Sequence, residues 1–185
     1  MHRSVVGSAL RVMATLLAGC RTVPSATVTS PGVVVESDTA FVSAGRRIGV
    51  ERFAPAGRGR HAGVLVLHSS AGLRMWAGDG MRDYARALAR AGLVAYVVHY
   101  FDRTGDTHTD AAEEDAKFPV WTATLQDAIT FAERDSAVRR AQIGVLGVSL
   151  GGFMALAVAA VDDRVRAIAV ILGVRAASSM RCAGM

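Results

Sequence analysis

One serine of the chain stands in a sequence pattern that is typical of nucleophilic catalysis. Ser149 lies between Gly147 and Gly151 in a run of the form G-x-S-x-G. A strand-length apolar segment precedes the run and an apolar helical segment follows it, which is the context in which this motif forms a sharp turn. Glycines are expected on both sides because a side chain there would collide with neighbouring backbone. The pattern predicts that Ser149 is a nucleophile; the alternative is a glycine-rich turn that binds phosphate or only packs tightly.

A nucleophilic serine needs N–H donors for the oxyanion that its attack creates. The expected pair is the backbone N–H of Leu150, at the start of the helix, and an N–H from the loop after an earlier apolar strand. That loop, residues 68–72, is built of small residues, and Ser70 is the candidate donor. His68 is expected to hold the loop by hydrogen bonding rather than to act as a base.

The base and the acid of such a site normally follow the serine in the chain. The residues after the serine contain no histidine, and their only acids, Asp162 and Asp163, are expected at the opposite edge of the sheet. His108, in a loop after the second buried strand, is the candidate surrogate base, oriented by Asp102 or Asp106. The alternative is that His108 is a solvated loop residue. We therefore expect that the chain lacks its carboxy-terminal third and that by itself it turns over little or no substrate.

Alternating strands and helices are predicted to position these residues. Continuous apolar runs predict buried strands at Gly63–His68, Leu93–Phe101, Ile143–Val148 and Val165–Leu172. Helical periodicity predicts a helix with Met81, Tyr84, Ala85, Leu88 and Ala89 on one face, a second from about Pro119 to Arg134, and a third over Leu150–Ala160. Two short antiparallel strands, Val33–Glu36 and Arg46–Ala54, are expected before them.

This order predicts an α/β fold, a doubly wound and mostly parallel sheet with helices on both faces. Ligands of such sheets bind at the carboxyl ends of the strands, where the loops at His68, Asp102 and Ser149 open. The last predicted strand, Val165–Leu172, is left with at least one unpaired edge, which favours self-association or aggregation, or alternatively offers a surface to a partner.

The composition indicates a globular protein that does not bind nucleic acid. Hydrophobic residues make up 51% of the 185 residues and charged residues 20%, which is enough apolar material for a core. The net charge of +5 comes almost entirely from arginine, since Lys117 is the one lysine, and no dense basic run is present. The two cysteines, Cys20 and Cys182, fit neither a disulfide scaffold nor the spacing of a zinc site or a redox motif.

The amino terminus indicates export. Residues 1–19 are predicted to be a signal peptide, because arginines precede a short apolar run that is too short to span a bilayer. The run ends in Leu17-Ala18-Gly19-Cys20, which resembles a bacterial lipobox, so Cys20 is predicted to be acylated and to anchor a periplasmic or cell-envelope lipoprotein in the membrane. Residues 20–40 are predicted to be a tether and residues 41–185 the partial domain. The alternative is a cytoplasmic protein with an accidental small-residue run.

Over about residues 45–173 the chain resembles the dienelactone hydrolases of the α/β-hydrolase superfamily. The resemblance rests on four stretches in order, which are Val64–Leu73, Tyr84–Gly92, His99–Gly105 and the run around Ser149 with its double glycine. It implies an α/β-hydrolase sheet without its last strands, and hydrolysis of ester or lactone bonds of a small molecule through an acyl-enzyme, with no cofactor or metal.

The chain departs from the founding members of that family at two positions. Those members have a cysteine nucleophile and a glutamate in the loop after the first buried strand, where this chain has Ser149 and Ser69. The difference favours a general esterase over an enzyme specific for lactones. The alternative class is a non-catalytic ligand-binding or interaction module on the same scaffold.

Overall fold

The computed structural model describes residues 32–172, with the backbone alone at residues 75 and 76. The strands are β1 (Val33–Ser43), β2 (Arg46–Pro55), β3 (His61–Leu67), β4 (Val94–Val98), β5 (Val138–Val148) and β6 (Val165–Ile171). The helices are α1 (Met75–Arg90), α2 (Ala111–Arg134) and α3 (Leu150–Val161), and a short 3₁₀ helix covers Tyr100–Arg103.

The six strands form one sheet in the order β1-β2-β4-β3-β5-β6. The strands β4, β3, β5 and β6 are parallel neighbours, whereas β1 and β2 run antiparallel at one side. The predicted α/β class with an antiparallel start is therefore confirmed. The carboxyl ends of the parallel strands share one edge, which brings the loops after β3, β4 and β5 together.

Helices cover both faces of the sheet. Met81, Ala85 and Ala89 of α1 are buried in one core cluster, whereas Trp121 of α2 and Met154 of α3 belong to the cluster on the other side. Every residue of β4 is buried, because helices pack on both of its faces. This explains why the buried strands appear in the sequence as continuous apolar runs. Tyr84, predicted on the buried face of α1, is instead 37% exposed.

Helix α2 is longer than the apolar periodicity predicted. It begins at Ala111 rather than near Pro119, and Pro119 lies inside it. The side chain of Asp110 caps the helix by accepting hydrogen bonds from the N–H groups of Ala112 and Glu113, at 3.0 and 3.2 Å. The first two turns are largely polar and exposed, so they carry no apolar stripe that a periodicity search detects.

The amino-terminal strand is also longer than predicted. β1 starts at Val33, within the range 20–40 assigned to the tether, and pairs with β2 from Val33 opposite Pro55 to Ser43 opposite Arg46. The predicted signal peptide, Cys20 and Cys182 lie outside the described residues. None of the helices within residues 32–172 is long and apolar enough to cross a membrane.

Candidate active site

Ser149 occupies a strained turn between β5 and α3. Its backbone angles are φ 51° and ψ −114°, a region that residues with a side chain rarely adopt and that costs about 1–3 kcal/mol. The Ser149 N–H donates to the carbonyl of Ile171 in β6 at 2.9 Å, and its carbonyl accepts from the N–H of Gly152 at 2.8 Å. The neighbouring strand and the first turn of α3 therefore hold the serine in this conformation.

The glycines on either side of the serine are required by close backbone contacts. A Cβ atom at Gly147 would overlap the carbonyl oxygen of Gly151. A Cβ atom at Gly151 would lie 2.5 Å from the carbonyl oxygen of Leu67 and 2.6 Å from that of His68. The loop after β3 and the turn after β5 thus touch through backbone, which brings residues 68–72 next to Ser149.

The two N–H groups predicted for the oxyanion lie on these adjoining elements. Leu150 is the first residue of α3, where N–H groups have no acceptor within the helix and the helix end is partly positive. Ser70 is half-buried in the loop after β3. The carbonyl oxygen of Ser69 accepts a hydrogen bond from His68 Nδ1 at 2.8 Å. In a trans peptide the N–H of the next residue points the opposite way, so the Ser70 N–H is directed away from the His68 ring.

His68 is a buried, neutral residue that fixes the loop, as predicted from the sequence. Its ring stacks on Tyr100 with centroids 4.0 Å apart and planes 9° apart. Burial lowers the pKa of His68 to about 4, so the imidazole is uncharged near neutral pH. Because a carbonyl oxygen only accepts, the proton is on Nδ1. The Tyr100 hydroxyl donates to the His68 carbonyl at 2.7 Å and fixes the loop from a second side.

His108 is exposed in a loop that contacts the candidate oxyanion loop. The N–H of Thr109 donates to the carbonyl of Ser70 at 2.9 Å, which places His108 one residue from this contact. His108 Nδ1 lies 3.4 Å from the hydroxyl of Thr107.

The two acids expected to orient His108 have other partners. Asp102 accepts from the N–H of Gly49 at 2.8 Å, and Asp106 accepts from Lys117 Nζ at 3.0 Å. Within residues 32–172, neither carboxylate is hydrogen-bonded to His108. The structure thus brings the loop of His108 into contact with the candidate oxyanion loop, but neither acid is hydrogen-bonded to His108 in the described part of the chain.

The acids that follow the serine are far from the carboxyl edge, as expected. Asp162 ends α3 and precedes β6, where it accepts two hydrogen bonds from the Arg164 guanidinium, at 2.6 and 2.8 Å. The ion pair with Arg164 lowers the pKa of Asp162 and keeps it charged. Asp162 therefore has a structural role at the amino end of the last strand.

A buried ionic cluster lies beside the carboxyl end of β4, and it was not predicted from the sequence. Glu51 of β2 accepts two hydrogen bonds from Arg82 of α1, both at 2.7 Å, and lies 3.1 Å from Nε2 of His99. Burial alone would raise the pKa of Glu51, but the bonds from His99 and Arg82 outweigh it and hold the pKa at about 2. These residues are far apart in the chain, so no local sequence signal relates them. The cluster ties α1 to β2 beside the end of β4.

Nothing in the described part of the chain forms a metal site, since no three His, Cys, Asp or Glu side chains there are grouped to hold an ion. The groups at this edge include the Ser149 hydroxyl, the first N–H groups of α3 and the loop after β3. A strand-turn-helix serine at the carboxyl edge of a doubly wound sheet defines the α/β-hydrolase class of proteins.

The chain matches the dienelactone hydrolase family over residues 49–183. It therefore belongs to this family, and the resemblance inferred from the sequence is confirmed. A comparison with curated proteins gives no match.

Several solved structures with a similar fold are described as hydrolases or esterases. A dienelactone hydrolase-like promiscuous phosphotriesterase from metagenomic libraries is 21% identical with a TM-score of 0.64, covering 75% of this chain and 59% of its own. A zinc-bound cold-adapted esterase from an Arctic intertidal metagenomic library is 23% identical with a TM-score of 0.57, covering 75% and 58%. The α/β hydrolase GrgF from Penicillium sp. sh18 is 21% identical with a TM-score of 0.60, covering 72% and 44%. This chain thus spans less than two thirds of the length of these structures.

Proposed function

We propose that this protein is a serine hydrolase that cleaves ester or lactone bonds of small molecules, with Ser149 as the nucleophile. The observation that carries the proposal is the strained backbone of Ser149, φ 51°, at the junction of β5 and α3. Such strain persists where the surrounding structure enforces it, and it is concentrated at functional sites. Membership of the dienelactone hydrolase family supports the same class of reaction.

In the proposed reaction the Ser149 oxygen attacks the carbonyl carbon of the substrate and gives up its proton to a base. The negative charge that develops on the carbonyl oxygen is stabilised by the N–H groups of Leu150 and Ser70. The bond from carbon to the leaving oxygen then breaks, the leaving alkoxide takes up a proton, and water hydrolyses the acyl-enzyme.

The proposed reaction also needs a base that accepts the proton of the Ser149 hydroxyl. His68 is buried with its Nδ1 proton committed to the Ser69 carbonyl, so His108 remains the proposed base of this chain. Within residues 32–172 neither Asp102 nor Asp106 is hydrogen-bonded to His108, so no carboxylate fixes the proposed base. We therefore expect slow turnover, with chemistry detected more readily as a single covalent event than as steady-state hydrolysis.

Labelling by a fluorophosphonate, read by intact mass, tests the nucleophile directly. An organophosphorus probe suits the site because a structural relative is described as a promiscuous phosphotriesterase. We expect one adduct per chain, lost in Ser149→Ala and retained in Ser69→Ala, which removes a hydroxyl from the adjoining loop. Labelling should slow in His108→Gln if that residue is the base.

The result that contradicts the proposal is a folded protein that takes up no probe, or an adduct that survives Ser149→Ala. Folding is checked by circular dichroism on the same samples. Absence of labelling on a folded chain would favour the alternative function, a non-catalytic module that binds a carbonyl ligand in the cleft.

A further inference from the structure

Glu51 is a buried carboxylate of β2 that none of the proposed chemical steps uses. Its Oε2 accepts a hydrogen bond from Arg82 Nε at 2.7 Å. Its Oε1 accepts from Arg82 Nη2 at 2.7 Å and lies 3.1 Å from His99 Nε2. A bidentate pair of a guanidinium and a carboxylate fixes orientation as well as distance. Glu51 therefore joins three parts of the fold, which are β2, α1 and the segment that follows β4.

The Arg82 side of this cluster reaches the end of the loop after β3, which covers residues 68–74. The first turns of α1 pack against this loop, because a Cβ atom at Gly78 would overlap the carbonyl oxygen of Leu73. The same Cβ atom would lie 2.8 Å from Nη1 of Arg82. The guanidinium that binds Glu51 therefore lies beside the contact between α1 and the end of the loop.

The His99 side of the cluster reaches the start of the same loop. The His99 N–H donates to the carbonyl of Gly49 at 3.0 Å, so β2 holds His99 by its backbone as well as by its side chain. The next residue, Tyr100, donates its hydroxyl to the carbonyl of His68 at 2.7 Å and stacks on the His68 ring. A displacement of His99 would therefore be passed to His68, the first residue of the loop.

We propose that Glu51 is a positioning residue for the oxyanion donor of the proposed hydrolysis. It acts through Arg82 and His99, which hold the two ends of the loop that carries the Ser70 N–H. The inference rests on the proposed function, because an oxyanion donor matters only where a nucleophile attacks. Such a donor must lie about 3 Å from the oxygen on which charge develops, and a misplacement of about 1 Å can slow a reaction by about 10²-fold.

The chain offers a matched ion pair that separates this role from a contribution to stability alone. Asp162 and Glu51 are both 7% exposed. Asp162 binds the guanidinium of Arg164 through two hydrogen bonds of 2.8 and 2.6 Å, as Glu51 binds that of Arg82. Asp162 precedes β6, at the edge of the sheet opposite the loop. Glu51→Gln and Asp162→Asn thus each remove one charge from an equally buried bidentate pair.

The first measurement is the rate of fluorophosphonate labelling of the full chain at several probe concentrations. It separates the maximal rate from the probe concentration that gives half of it. A displaced oxyanion donor weakens binding of the transition state, so the maximal rate should fall while the half-maximal concentration changes little. We expect the maximal rate to fall about 10²-fold in Glu51→Gln and less than about 2-fold in Asp162→Asn. Arg82→Gln keeps one donor for Glu51 and should fall about 10-fold.

The second measurement does not depend on reactivity. Hydrogen exchange of the backbone amides of residues 69–74, read by mass spectrometry, reports how firmly the loop is held. We expect this exchange to be about 10-fold faster in Glu51→Gln and unchanged in Asp162→Asn. Urea unfolding of the same samples should show comparable losses of stability in the two variants, since the two ion pairs are alike.

The inference is overturned, with the proposed function intact, if the wild type takes up the probe and Glu51→Gln labels at the same maximal rate. Equal slowing in Asp162→Asn also overturns it, because the effect then follows from stability alone, and so does unchanged exchange of the loop in Glu51→Gln. A folded wild type that takes up no probe contradicts the proposed function itself, and the positioning role with it. If Glu51→Gln does not fold, Arg82→Gln decides in its place, because that side chain is 29% exposed.

Discussion

At the scale of single residues, the site depends on a serine in a backbone conformation that only glycine adopts without strain. Ser149 is held there by the hydrogen bond to Ile171 and by backbone contacts that exclude side chains at Gly147 and Gly151. The Gly151 contact reaches the carbonyls of Leu67 and His68, which belong to the candidate oxyanion loop. This one glycine therefore determines how closely the turn with the proposed nucleophile approaches the loop with the proposed Ser70 donor.

Gly151→Ala is expected to damage both stability and reactivity. The added Cβ would lie 2.5 Å from the Leu67 carbonyl oxygen, so the loop after β3 must move. We expect a loss of about 1–3 kcal/mol in the free energy of unfolding, typical of overpacking. Because small displacements of reacting groups have large effects, we expect the rate of fluorophosphonate labelling to fall by about 10²-fold.

The matched control for that substitution is Gly80→Ala in α1, where a Cβ meets no atom within 4 Å. Alanine is the better helix former, so this variant should gain roughly 0.5–1 kcal/mol and label normally. Urea unfolding and labelling rates measure both effects. Wild-type behaviour of Gly151→Ala would contradict the tight contact between the elbow and the loop.

At the scale of secondary-structure elements, the site is formed where loops meet at one edge of the sheet. The loop after β4 contacts the loop after β3 through the bond from Thr109 N–H to the Ser70 carbonyl. The next residue, Asp110, caps α2. The start of α2 therefore helps to place the loop that carries His108, and the cap links helix formation to the geometry of the site.

Asp110→Ala is expected to lower the free energy of unfolding by about 1 kcal/mol, because two N–H groups of the first turn lose their acceptor. Asp110→Asn retains an acceptor at the cap and should be close to wild type. Asp115→Ala removes an exposed carboxylate from within α2 and should change stability by less than about 0.5 kcal/mol. Urea unfolding of the three variants checks this, and equal effects at positions 110 and 115 would refute the capping role.

At the scale of the whole molecule, stability should depend on pH through buried groups at the carboxyl edge. Burial lowers the pKa of His68 from 6.5 to about 4, so between these values the unfolded chain binds a proton that the folded chain excludes. The contribution of His68 to the free energy of unfolding is therefore fully present above pH 6.5 and is lost as the pH falls towards 4. Glu51, whose pKa is held at about 2, adds a further loss between pH 4.5 and 2.

We expect the His68 contribution to the free energy of unfolding to fall by roughly 3 kcal/mol from pH 7 to pH 4, from about 1.4 kcal/mol per pKa unit. Denaturant unfolding across this range measures it. His68→Gln keeps a donor for the Ser69 carbonyl but does not titrate, so its stability should decline less over the same interval. His108→Gln changes an exposed histidine and should decline like wild type; an unchanged decline in His68→Gln would refute the assignment to His68.

The sequence by itself determined the α/β class, the buried strands and the position of the serine turn. These features are local. A continuous apolar run indicates burial on both faces of a strand, and glycine at position 147 avoids a clash with the backbone of Gly151 in the same motif. The apolar face of α2 was predicted because helical periodicity is also a local pattern. Its true start at Ala111 was missed, because an Asp110 cap followed by exposed polar turns leaves no apolar period.

Only the tertiary structure decided what meets at the edge of the sheet. The contact of Gly151 with the Leu67 carbonyl, the stacking of His68 on Tyr100 and the Glu51–Arg82 pair join residues that are distant in the chain. Local sequence patterns reflect the contacts between residues that are close in the chain. The contacts named above depend instead on the order of the strands in the sheet.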